Sequence, residues 1–142
     1  MIEIYIDGAC EPRNPGGIAT WGFVAFKDGK YLHEASGVYS HKSTNNEAEF
    51  CAALEALKYL VDQGLKYDKI IMRGDSQLVV NVLNGDWNLK AENLVPLYRD
   101  IRAIERSLPQ VKYTWIPRED NEYADDLSRK EYEQFIREGV KP

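Results

Sequence analysis

The sequence predicts an α/β fold: a five-stranded mixed sheet flanked by helices, in the order βββαβααβα. Three observations carry this expectation. Two strand-like runs meet at Asp28–Gly29, a strong hairpin signal. A long apolar pattern at helical spacing follows them. Two short strands then appear, "KIIM" and "VKYTWI", each leading into an acid-bearing loop and a helix.

Taken in order, Ile2 to Ile6 alternates as a strand and ends in the turn-rich "DGACEPRNPGG". Thr20 to Lys27 and Tyr31 to Tyr39 form the hairpin. From Asn45 to Gln63 the residues Phe50, Ala53, Leu54, Leu57, Leu60 and Val61 mark one helical face. Lys69 to Met72 is a short buried strand closed by "RGDS". A helix runs from Ser76 to Leu83, stopped by "NGD", and another from Glu92 to Arg106. Val111 to Ile116 is the fifth strand, ended by Pro117, and the last helix covers Asn121 to Arg137. Trp21 and Trp115 lie in strands and are expected in the core, whereas Trp87 is assigned to packing of the third helix. Lys90, Arg99, Arg102 and Arg106 read mostly as a solvated helix face. No repeat, low-complexity run or linker divides the chain, so residues 1–142 are read as one domain.

Composition narrows the function classes. With 44% hydrophobic and 29% charged residues, 142 residues can bury a sizeable core. Nothing is apolar for long enough to span a membrane as a helix, and "MIEIYID" is an acid-bearing strand rather than a signal peptide. Cys10 and Cys51 form neither a disulfide framework nor a metal-spaced pair, so both are read as reduced and the protein as cytoplasmic; a monomer is expected. The net charge of −5 and pI near 5.1 lack the basic footprint of a general nucleic-acid binder. That exclusion lapses if several acids are gathered around cations.

Tracing chain direction through the elements gathers them. If the first strand runs upward, its end, the start of the first helix, the end of the fourth strand and the start of the last helix share one rim, where open α/β sheets bind ligands. Asp7, Glu49, Asp75 and one of Asp125 or Asp126 lie at these points. Glu49 shares a helix face with Ala53, Ala56 and Leu60, while Glu47 shares a mainly solvated face with Cys51, Glu55 and Lys58. Periodicity does not separate Asp125 from Asp126. Two carboxylates ~4 Å apart repel by about 4 kcal/mol at an effective dielectric of ~20. Four therefore require cations or protons among them. Oxygen-only ligands favour a hard ion, Mg²⁺ first, which points to phosphodiester chemistry.

The motifs "YIDGACEPRNPGG", "STNNEAEF", "RGDSQLVV" and "NEYADDLS" together resemble type 1 ribonuclease H, in that family's order and over nearly the whole chain. The resemblance implies the RNase H-like fold and an endonuclease that hydrolyses the RNA strand of RNA·DNA hybrids. It implies two Mg²⁺ ions per site, with Mn²⁺ a possible substitute, one ion generating hydroxide and the other stabilising the leaving 3′-oxygen. Products would carry 5′-phosphate and 3′-hydroxyl ends. Asp7 would bridge the metals, Glu49 and Asp75 would flank it, and Asp125, rather than Asp126, would complete the set. Substrate contacts would fall on Cys10, Asn14, Asn45, Asn46 and Gln77, with Thr44 and Asn46 holding a DNA-strand phosphate. Three departures accompany the match. The loop "IPREDNEY" lacks the histidine of well-studied bacterial members, leaving Arg118 or Glu119 as stand-ins; the lysine-rich protrusion is missing; and no hybrid-binding domain is expected ahead of Met1. The rival readings are another nuclease of the same superfamily and a catalytically silent hybrid-binding module. "TNN" and "DSQ" oppose the first, and the full acid set opposes the second.

Overall fold

A computed structural model describes residues 1–64 and 69–139. Five strands, β1 (Ile2–Glu11), β2 (Gly17–Lys27), β3 (Lys30–Ser43), β4 (Ile70–Gly74) and β5 (Val111–Trp115), form one sheet in the order β3-β2-β1-β4-β5. Among the described residues four α-helices accompany them: α1 (Asn45–Asp62), α2 (Gln77–Leu83), α3 (Val95–Glu105) and α4 (Glu122–Gly139). The α/β class and the element order match the expectation from sequence. So does the crossover: β4 runs parallel to β1, from Ile2↔Ile70 to Ile6↔Gly74, and β5 runs parallel to β4.

The hairpin forms where the turn residues require it. Asp28 and Gly29 both take positive φ, 51° and 80°, as a two-residue turn matched to strand twist demands. Alternation along β1 turns Ile2, Ile4 and Ile6 toward α1, where they meet Phe50, Ala53, Leu57 and Leu60 in the main core. The intervening positions face the other side, over which α4 crosses β1 and β2. Two helices thus clasp the sheet from opposite faces.

Several boundaries differ from expectation. β1 continues to Glu11 because Cys10 and Glu11 still pair with Ala19 and Ile18, which shrinks the Gly/Pro loop. β3 extends to Ser43, which pairs with Gly17. The helix expected from Glu92 opens as a 3-10 turn, Glu92–Leu94, and becomes α-helical at Val95 with Pro96 in its first turn, where a missing N–H costs nothing. Trp21 packs against the core, but Trp115 does not belong to it. At the end of the edge strand β5 it is 45% exposed, with Nε1 donating to the Asp75 carbonyl at 3.2 Å. Trp87 is 46% exposed. Arg102 departs from the solvated reading: its guanidinium donates to the Val82 and Leu83 carbonyls and pairs with Glu105, pinning α3 to α2. Cys51 is buried, not solvated, and both cysteines are free thiols.

Candidate active site

The rim is set by how tightly α1 is seated on β1. A Cβ at Gly8 would stand 2.3 Å from the Ala48 carbonyl carbon and 2.5 Å from the Glu49 nitrogen, so only glycine lets the helix backbone rest on the strand there. The same residue fixes the helix's acid: Gly8 N donates to Glu49 Oε1 at 2.9 Å. Seated this way, Glu49 meets Asp7 from β1 and Asp75 from the end of β4. One carboxylate oxygen from each lies within 4.8 Å of the other two. Asp7 and Glu49 are each 6% exposed, and Asp75 is half-buried.

Electrostatics follow from that crowding. Burial, then the charge of Glu49 and that of Asp75, push the Asp7 carboxyl far above the ordinary carboxylate range. Burial also raises Glu49, partly offset by hydrogen bonds from Asp7 and Gly8 N–H and by the charge of Arg118. Glu49 Oε2 is buried without a partner among the described residues. An all-oxygen set with an orphaned carboxylate oxygen and suppressed ionisation fits a hard divalent cation, whose charge would remove the penalty.

Asp125 stands at the edge of this group. It lies within hydrogen-bonding reach of Asp7, and its Oδ2 pairs with Arg129 at 2.7 Å. Asp126 is exposed and pairs with the same guanidinium at 2.6 Å. Arg118, Glu119, Glu122, Asp125, Asp126 and Arg129 line a shallow cleft of about 450 Å³ beside the acids.

The family model described as reverse transcriptase-like matches residues 6–131. Ribonuclease H from Bartonella quintana is 31% identical over 149 residues, covering 98% of this chain and 94% of that protein. The chain belongs to the ribonuclease H family. Ribonuclease HI of Halobacterium salinarum is 33% identical over 91% of this chain, which spans 63% of that relative's length. A protein named putative hydrolase EbsB, from Enterococcus faecalis, is 30% identical over 95% of this chain and 96% of its own. Among solved structures, LC11-RNase H1 in complex with RNA/DNA hybrid aligns with a TM-score of 0.89 at 31% identity, covering 96% of this chain and 99% of that one. These similarities make the chain a ribonuclease H hydrolase in class.

Within this ribonuclease H, five of the expected substrate residues, Cys10, Asn14, Thr44, Asn45 and Asn46, adjoin one another at the start of α1, the helix that carries Glu49. Thr44 caps α1: its Oγ1 accepts from Glu47 N at 3.1 Å and donates to Glu47 Oε1. Glu47 is therefore the cap's partner, and its distance from the acid cluster has a local cause. Asn45 N donates to Asn14 Oδ1 at 2.9 Å, and Asn45 Oδ1 accepts from Cys10 N at 2.8 Å. The Asn45 amide nitrogen is left facing outward, beside the exposed Asn46. Gln77 is exposed at the start of α2, one residue past the Ser76 cap. The Cys10 thiol points inward, donating to the Arg13 and Ser43 carbonyls, so only its backbone joins the patch.

Two residues that touch the acid cluster escaped the sequence reading. Gly8 had a signal, a glycine interrupting a strand, which marks a close backbone approach. Asn121, 1% exposed, donates to both the Ile6 carbonyl and Asp75 Oδ2. Before a helix, such an asparagine reads as a cap.

Proposed function

We propose that the protein is an endonuclease that hydrolyses the RNA strand of RNA·DNA hybrids with two divalent cations, leaving 5′-phosphate and 3′-hydroxyl ends. The observation that carries this reading is the meeting of Asp7, Glu49 and Asp75, from three separate elements, beside the outward amides of Asn45 and Asn46. Asp7, Glu49 and Asp75 would hold the ions together with Asp125 from α4. Mg²⁺ is the expected ion and Mn²⁺ a substitute. When bound, such ions supply Lewis acidity for water attack and for departure of the 3′-oxygen.

The chain's own residues supply orientation. Gly8 N–H holds Glu49 and Arg129 holds Asp125, so neither carboxylate has to be ordered when substrate arrives. Asn45, Asn46 and Gln77 face the minor groove, where amides can donate to and accept from 2′-hydroxyls and base edges. Asn14 and the Cys10 backbone brace Asn45, and Thr44 with Asn46 receives a DNA-strand phosphate. Matched RNA·DNA, RNA·RNA and DNA·DNA duplexes, each with Mg²⁺ and with Mn²⁺, test the proposal. Cleavage confined to the RNA strand of the hybrid and lost in Asp7→Asn is expected; equal cutting of duplex DNA, or an active Asp7→Asn, overturns it.

A further inference from the structure

We propose that Asn121 is a positioning residue: its side-chain amide, clamped between the Ile6 carbonyl and the Asp75 carboxylate, fixes Asp75 in the orientation that lets the acid cluster hold a divalent cation. The inference rests on the function proposed above.

Nδ2 lies 2.8 Å from Ile6 O and 3.1 Å from Asp75 Oδ2. Both partners are acceptors, so only the amide nitrogen can face them, and the two bonds use both of its hydrogens. Reversing the amide would set an oxygen against two oxygens. The position of Asp75 Oδ2 is therefore referred directly to the main chain of β1, one residue before Asp7.

The ordinary explanation of an asparagine at this place is helix capping, and the geometry excludes it. A capping asparagine accepts an N–H of the helix's first turn through Oδ1. Here Oδ1 is buried and has no partner among the described residues. The side chain leaves the helix uncapped and is held by its donors alone. Only the backbone of Asn121 serves α4, its carbonyl accepting from Asp125 N at 3.1 Å. One residue thereby references Asp75 to β1 through its amide and the start of the Asp125-bearing helix through its carbonyl. Aspartate, nearly the same size, could make neither side-chain bond while ionised. Serine or threonine would suffice for a cap but could not reach both acceptors.

The test compares Mn²⁺ binding by titration calorimetry in the wild type and in Asn121→Ala, with circular dichroism to check folding. Should Asn121→Ala fail to fold, Asn121→Ser takes its place. Binding about 10- to 100-fold weaker is expected, with kcat falling and KM for the hybrid unchanged. In an Asp75→Asn background, Asn121→Ala should weaken binding no further, since its effect runs through Asp75. Wild-type affinity in the single variant overturns the proposal, as does an equal additional loss in the double variant. A wild type that binds Mn²⁺ in this Asn121-dependent way yet leaves hybrid uncut supports the positioning role and sinks only the nuclease reading. A wild type that binds no Mn²⁺ sinks both.

Discussion

Replacing Asp7 by Asn is expected to stabilise the metal-free protein while abolishing hydrolysis. The magnitude follows from the geometry. With carboxylate oxygens of Asp7, Glu49 and Asp75 within 4.8 Å of one another, each ionised pair costs about 3.5 kcal/mol at an effective dielectric of ~20. The native protein lowers that cost by keeping a proton on Asp7, which still sets folding against the preferred ionisation of the unfolded chain. Asparagine removes the charge and offers Glu49 a donor. A net gain of about 1 to 3 kcal/mol is expected, or roughly 3 to 10 °C in Tm for a chain of this size. The sign with pH is fixed. The folded pKa of Asp7 lies above its unfolded value, so its contribution to stability is complete below about pH 4 and is lost as pH rises toward the folded value. Thermal unfolding in a chelator at pH 5 and pH 8 reads both effects: the wild type should lose more Tm than Asp7→Asn over that interval, and Mg²⁺ should restore it only in the wild type. A metal-free variant less stable than the wild type at pH 8, or with the same pH slope, would refute the crowding.

Two further substitutions probe the framework and the substrate patch. Gly8→Ala should cost about 3 kcal/mol in urea unfolding, because its methyl meets α1 backbone that cannot rotate away, and should depress cleavage by displacing Glu49; wild-type stability would show that α1 is seated otherwise. Asn45→Ala should raise KM for the hybrid by about tenfold, the worth of one or two hydrogen bonds, with kcat little changed. Steady-state kinetics with a labelled hybrid decide this, and an unaltered KM would remove Asn45 from the substrate surface.

The fold was legible because its punctuation is local. Asp28–Gly29 can turn only one way, and the α1 stripe from Phe50 to Leu60 has one period. The rim followed from counting strand directions, which requires no side-chain detail. What escaped depends on contacts between distant segments. The length of β1 past Asp7 is set by pairing with Ala19 and Ile18, which no property of Cys10 or Glu11 announces. Trp115 looks like core in any window of sequence, and its exposure follows from β5 being the sheet's edge. The choice between Glu47 and Glu49 was readable from helical faces. That between Asp125 and Asp126 was not, and in the structure one guanidinium holds both. Asn121 shows the same limit: its neighbours in sequence describe a cap, and its neighbours in space describe a bracket.

Gly8 has a counterpart on the opposite face. At Gly22, opposite Asp7 in register, an added Cβ would come within 2.7 Å of Leu127 Cβ and 3.0 Å of the Ala124 carbonyl. Here both helices approach the sheet closely, α1 by its backbone at Gly8 and α4 by Leu127 Cβ and the Ala124 carbonyl at Gly22. The spacing of the carboxylates is thereby referred to close helix-on-strand contacts at Gly8 and Gly22, and a side chain added at either position would move a whole helix rather than one rotamer.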